Sequence, residues 1–170
     1  MADNEELNVI NHLLDIEKGA ASLINEAMEE ADKRIAEAEA IADIVLREHT
    51  VNNVPLHQIG IIVPYRNQIS AVRNALSSLL SLLSSITIDT VERFQGSQRE
   101  VIIYGFTVQR PYQLDFLTDN CFVEDGAVID RKLNVAMTRA MKRLYLVGNK
   151  GLLSKNDMFA KLIEFCQEQK

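Results

Sequence analysis

Over residues 1–50, apolar side chains recur every three or four positions. Leu7, Ile10 and Leu14 predict a first helix to about Lys18, with Asp3 or Asn4 as its cap. Ile24, Met28, Ala31, Ile35, Ala38, Ala42 and Val45 follow at alternating steps of four and three. They predict a second helix from about Ala20 to Glu48. This seam holds several alanines and lacks the Leu or Ile density of a zipper, so it reads as a surface helix or helical hairpin. Thr50–Gln58, with Asn52, Asn53 and Pro55, is a loop. The pattern then changes. Ile59–Val63 is a continuous, mostly β-branched run that suits a central parallel strand, and Pro64 stops it. Tyr65–Leu83 returns to helical spacing, with Ile69, Val72, Leu76, Leu79, Leu80 and Leu83 as the buried stripe.

Ile86–Val91 alternates as a second strand, Glu92–Glu100 connects, and Val101–Phe106 is a third strand. Thr107–Ile129 reads as a long loop, of the kind that is usually functional or mobile. Within it Asp119, Glu124 and Asp125 lack the spacing of a calcium loop and read as a solvated loop or small hairpin. Asp130–Asn149 divides into a short helix and a strand at Leu144–Val147. With Arg131 set at zero and about 100° per residue, Leu133, Ala136, Met137 and Ala140 share one arc. Arg131, Asn134, Val135, Thr138 and Lys142 fall on the other side, with Arg139 at its edge. A last helix, capped by Asn156 or Asp157, packs through Phe159, Leu162, Ile163 and Cys166.

A strand, turn and helix begin a βα unit, and three or four apolar strands call for helices on both faces of a sheet. The expected fold is α/β: a three-layer domain with a mostly parallel sheet, preceded by an acidic helical extension. The 170 residues, 47% hydrophobic and 25% charged, suffice for one domain with a real core. Net charge is −6, unevenly spread. Residues 1–50 hold 13 acidic and 4 basic side chains, a balance of −9; the rest hold 11 and 14, a balance of +3. The overall acidity therefore does not exclude nucleic acid as a partner. Cys121 and Cys166 have no metal-ligand spacing, and no metal site is expected. The N-terminus lacks an apolar signal stretch and no run approaches a membrane span, so the expectation is a cytoplasmic protein with no membrane contact.

Taken alone, the arginines of residues 131–142 read as a solvated helix face. The string LNVAMTRA at Leu133–Ala140, however, resembles motif VI of superfamily 1 helicases, in the branch with an "FQG" motif. In that family the arginine of "TRA" is a finger that reaches the γ-phosphate of ATP, and Arg139 stands there. A guanidinium suits the role because it stays charged and bonds two phosphate oxygens at once. TVERFQGSQREVII resembles motif V, "TVDxFQGxExDxVI", through Thr90, Gln95 and Gly96. Gly96 permits a tight path on which amide groups approach phosphate. Gln98 stands where relatives carry an acidic residue that bonds the nucleotide ribose, and Glu92 replaces an Asp. IGIIVPYRNQ resembles motif IV, "TPY" followed by Gln, through Pro64, Tyr65 and Gln68, with Val63 where relatives often have Thr. Arg66 is similar to the "YR" arginine of a neighbouring branch. FLTD at Phe116–Asp119 resembles the "FLxD" just before "RRLNVALTRA", with residues 120–129 as an apparent insert. AEAEAIADIV at Ala36–Val45 resembles the helix before motif IV.

The resemblance implies a RecA-like fold for residues 35–170, the C-terminal motor domain of a 5′–3′ helicase, with residues 1–34 as the acidic extension. Arg139 would be catalytic. Gln98, Arg131, Arg66, Gln95 and Gly96 would lie near the nucleotide. Pro64, Tyr65, Gln68 and Thr90 would face single-stranded nucleic acid. No Gly-Lys pair occurs in the chain, so it lacks the phosphate loop that such an ATPase needs. ATP and Mg²⁺ would be held mainly by an N-terminal RecA-like domain that is absent here and is the expected partner. The alternative is a stand-alone nucleic-acid-binding or regulatory module without ATPase activity.

Overall fold

The computed structural model describes residues 2–77, 85–94, 97–119 and 121–168. They divide into two compact units, residues 1–33 and 34–170. One helix, α1 (Ala2–Thr50), runs through both ranges where the sequence pattern predicts two. The reason is local. A side chain at Gly19 would meet nothing within 4 Å, so the glycine is an exposed helical residue. It costs about 1 kcal/mol of propensity without breaking a helix rich in Ala and Glu. In the first unit the apolar positions are open to solvent: Leu14, Leu23, Ile24 and Met28 are all exposed.

The second unit is the α/β domain. After α1 a 3₁₀ turn (Leu56–Gln58) leads into β1 (Ile59–Ile62), then α2 (Arg66–Ser77) and β2 (Thr87–Asp89). A 3₁₀ turn (Val91–Phe94) crosses to β3 (Arg99–Gly105). Then come α3 (Tyr112–Thr118), β4 (Cys121–Glu124), β5 (Ala127–Asp130), α4 (Arg131–Met137), β6 (Ala140–Val147), α5 (Lys150–Leu153) and α6 (Asp157–Glu168). The main sheet has the order β2-β1-β3-β6, and every pairing in it is parallel. Strand alternation splits the core in two. Ile61, Val63, Val101 and Ile103 pack with Ile41, Ala42 and Val45 of α1 and Val72 and Leu76 of α2. Ile62, Ile102 and Tyr104 pack with Phe94, Leu133, Ala136, Leu153 and Phe159 on the opposite side. The expected three layers are present. Leu79, Leu80 and Leu83, read as part of the α2 stripe, lie outside the described residues, as does the side chain of Leu7.

Gly60 shows how tightly the second core half closes. A methyl group there would sit 2.8 Å from Phe94 Cε1 and 2.9 Å from Ile102 Cδ1. Both neighbours are buried, so neither can swing away. Gly60→Ala is expected to cost on the order of 2 kcal/mol, a fall in Tm of roughly 4–8 °C. A thermal melt that leaves Tm in place would mean looser packing than these distances describe.

Two segments differ from the sequence expectation. β6 begins at Ala140 rather than Leu144, because β6 is an edge strand and tolerates the exposed Met141 and Lys142. The stretch from Thr107 to Ile129 holds α3 and an antiparallel hairpin. The hairpin turn is Asp125-Gly126, with φ of 51° and 79°. Two positive angles are the signature of a tight two-residue hairpin turn, which Asp-Gly favours.

Candidate functional site

The parallel strands give the domain a carboxyl edge and an amino edge. At their carboxyl ends, Pro64 and Tyr65 lie half-buried just past β1, and Arg66 is exposed at the start of α2. Gln68 is 2% exposed, and its Nε2 donates to the Arg34 carbonyl at 3.5 Å. Burial raises the Tyr65 hydroxyl above its ordinary value, with Tyr112 and Asp119 adding to the effect, so it stays a neutral phenol. Thr90 follows β2 and is 6% exposed; its N–H donates to Asp89 Oδ1 at 2.9 Å. Its carbonyl accepts from the Arg93 and Phe94 amides at 3.1 and 3.3 Å, which starts the 3₁₀ turn. Glu92 lies in that turn. Its carboxyl is held below the usual range by its own backbone N–H, and further by Thr90 and Lys132, whose Nζ lies 3.5 Å away.

α4 then runs over the sheet from one edge to the other. Asp130 caps it, accepting from the Lys132 and Leu133 amides at 2.8 and 3.1 Å. Burial raises the Asp130 carboxyl, and those two amides oppose the rise. Leu133 and Ala136 face the core; Arg131 and Asn134 are exposed. The Arg131 guanidinium stacks over the Phe122 ring at 4.7 Å, which ties the hairpin to the first turn of α4.

Arg139 lies past the other end of α4, where the chain turns into β6. It is half-buried; its amide donates to the Ala136 carbonyl at 3.2 Å and its Nε to the Val135 carbonyl at 3.4 Å. The Arg139 carbonyl accepts from the Arg99 amide at 3.0 Å. Gln98, exposed, is the residue before Arg99, and its carbonyl accepts from Arg99 Nη1 at 2.8 Å. Arg139 and Gln98 thus meet at the amino ends of β6 and β3. The register there shifts between Arg99 and Val101, because Arg99 pairs with Ala140 and Val101 with Arg143. Such irregularities re-aim side chains beside functional sites.

The predicted site residues therefore fall into two groups. Gln98 and Arg139 come together at the amino edge. Pro64, Tyr65, Arg66, Gln68, Thr90 and Arg131 gather toward the carboxyl edge. Arg131 and Arg139 sit at opposite ends of a helix roughly 10 Å long. Gln95 and Gly96 lie outside the described residues.

The sequence reading missed three things at the carboxyl edge. Glu37, buried on α1, accepts from the Thr107 amide at 2.8 Å through Oε1 and from Gln109 Nε2 at 3.2 Å through Oε2. Burial pushes its carboxyl up to about 7, against the opposing pull of the Thr107 amide. Thr107 itself has φ of 54°, a left-handed conformation unusual for a β-branched residue. Tyr112 and Phe116, one helical turn apart on α3, are exposed aromatic side chains on the same side. That spacing was the one available signal.

Comparison with known proteins gives the family. Residues 4–151 match the AAA domain family. The chain is 34% identical over 131 residues to the DNA polymerase alpha-associated DNA helicase A of Saccharomyces cerevisiae, covering 73% of this chain and 18% of that protein. It is 33% identical over 116 residues to helicase sen1 of Schizosaccharomyces pombe, covering 66% of this chain and 6% of that protein. It is 32% identical over 134 residues to the DNA replication ATP-dependent helicase/nuclease JHS1 of Arabidopsis thaliana, covering 78% of this chain and 9% of that protein. The matched part is thus less than a fifth of each relative. Among the described residues no helix is long and apolar enough to cross a membrane.

Proposed function

The chain belongs to the superfamily 1 helicases of the 5′–3′ type, and from that premise we propose that it is the C-terminal motor domain of a nucleic-acid-dependent ATPase. Arg139 is the arginine finger toward ATP, and Gln98 beside it meets the ribose. The observation that supports this most is the junction of two motifs at one edge: the Arg99 amide of motif V donates to the Arg139 carbonyl of motif VI at 3.0 Å. Its Nε is turned to Val135 and, among the described residues, its two terminal nitrogens have no partner, which leaves them for phosphate oxygens. A phosphate-loop domain elsewhere in the protein holds ATP and Mg²⁺, which supply the transferable γ-phosphoryl group and neutralise its charge.

Single-stranded nucleic acid runs along the carboxyl edge, past Pro64, Tyr65, Gln68 and Thr90. This separation is mechanically useful. A domain that meets nucleotide at one edge and nucleic acid at the other converts closure around ATP into displacement of the strand. Arg66 and Arg131 lie with the second group, and we assign them to the strand side.

The test is ATP hydrolysis by this chain alone, with and without single-stranded DNA or RNA. No turnover is expected, because the chain has no phosphate loop. Clear turnover that Arg139→Ala removes would mean that the chain assembles a complete site by itself, and would overturn the division of labour proposed here.

A further inference from the structure

A cavity of about 210 Å³ opens at the carboxyl ends of β1 and β3. Its walls come from four places: Arg34 of α1, Tyr65, Asn67 and Gln68 around the start of α2, Thr107 past β3, and Tyr112, Gln113 and Phe116 of α3. At this size it is below the roughly 300–1,000 Å³ of sites for drug-sized ligands, and it fits a single ring system. Its chemistry is of two kinds. Three aromatic rings supply flat apolar faces, and two of them, Tyr112 and Phe116, are 54% and 58% exposed. Three side-chain amides, Asn67, Gln68 and Gln113, carry both donors and acceptors.

One feature of the lining is unexplained by the fold itself. Thr107 is 4% exposed, and its buried Oγ1 has no hydrogen-bond partner. A buried hydroxyl without a partner is costly, and the backbone at Thr107 is held in its unusual conformation by Glu37. The hydroxyl is closed off from solvent, so Thr107 gives the cavity a fixed wall rather than a donor for an occupant. The lining holds one cation, Arg34, and no second one, so it is not built as a phosphate cradle. A flat ring with a hydrogen-bonding edge matches what remains: stacking on aromatic faces with amides reading the rim is how unpaired bases are held.

We propose that this cavity is a subsite for one nucleobase. The proposal rests on the reading that single-stranded nucleic acid follows the carboxyl edge. A base turned out of that strand enters between Tyr112 and Phe116 on one side and Tyr65 on the other, with the Asn67 and Gln68 amides at its edge. The subsite gives the moving strand a discrete holding point, and its amides favour some bases over others. The same ring could also come from a free nucleoside, and the experiment separates the two sources.

The experiment uses the chain and its Phe116→Ala and Tyr112→Ala variants, both at exposed positions where truncation leaves the core intact. Two probes are applied: a short single-stranded oligonucleotide carrying one 2-aminopurine, and the free nucleosides observed by saturation-transfer NMR. The expected result is a change in 2-aminopurine fluorescence on wild-type binding that each variant loses, with affinity for the strand weakened about tenfold. Equal strand affinity and an unchanged fluorescence signal in all three proteins would overturn the subsite while leaving the nucleic-acid reading in place. Saturation of free nucleosides by wild type but not by the variants, without strand binding, would uphold the subsite and overturn the strand reading. Neither probe binding would overturn both.

Discussion

Replacing Arg139 with Ala, in the protein that joins this domain to its phosphate loop, is expected to lower ATP turnover by about 10³-fold or more. Binding of single-stranded nucleic acid should stay within about threefold, because Arg139 sits at the amino edge of the sheet and Thr90 and Tyr65 sit past the carboxyl ends. Arg139→Lys is expected to recover little. An ammonium is a point charge and cannot span two phosphate oxygens, and it would also lose the Nε donation to Val135. The backbone contacts of residue 139, to Ala136 and Arg99, do not depend on its side chain, so the turn should survive both changes. ATPase assays over a range of nucleic-acid concentrations check this, with a melt of each variant as the control for folding. Turnover within a few-fold of wild type would remove the finger role. A parallel loss of strand binding would mean that the two edges are not separable.

That separation is also where the sequence stopped being informative. β1 and β3 were legible because both are buried on both faces and read as unbroken apolar runs. The short helix before Arg139 was legible because Leu133 and Ala136 alternate with polar residues at helical spacing. Spacing along the chain does not say at which end of a parallel strand a side chain emerges. Arg66, Arg131 and Arg139 look equivalent as arginines in or beside motifs IV and VI; only the strand directions part Arg139 from the others. The start of β6 was hidden for a different reason. At a sheet edge Met141 and Lys142 reach solvent, so the strand carries a polar prefix that resembles a helix end. Asp125-Gly126 is a readable hairpin signal, and a small hairpin is one of the two readings of that stretch. Glu37 was not readable at all. In the run AEAEA it is indistinguishable from Glu39, yet Glu39 is exposed and Glu37 is 7% exposed.

Glu37 carries the second large effect: stability of the chain is expected to fall as pH rises from 4.5 to 7. Burial holds its carboxyl at about 7 in the folded chain, against an ordinary value of 4.5. Between those two values the folded chain keeps a proton on Glu37 that the unfolded chain has released. Raising pH through that window therefore favours unfolding, and the stability present below pH 4.5 is lost as pH passes 7. The full shift corresponds to about 3 kcal/mol. Glu37→Gln isolates this contribution from every other titrating group. The amide oxygen can still accept from the Thr107 amide, but the side chain no longer titrates. Wild type and variant should be nearly matched at pH 5, with the variant more stable at pH 8 by up to about 3 kcal/mol, or roughly 6–12 °C in Tm. Parallel Tm curves across that range would mean that water reaches the carboxylate and that it titrates normally. The cost of an ionised Glu37 has a structural counterpart. Its two oxygens hold the Thr107 amide and Gln109, and Thr107 carries both a left-handed backbone and an unpartnered hydroxyl at the cavity wall. A buried carboxyl retained at a stability cost, where it fixes a strained residue beside a cavity, is the pattern of a fold that gives up stability to preorganise a site.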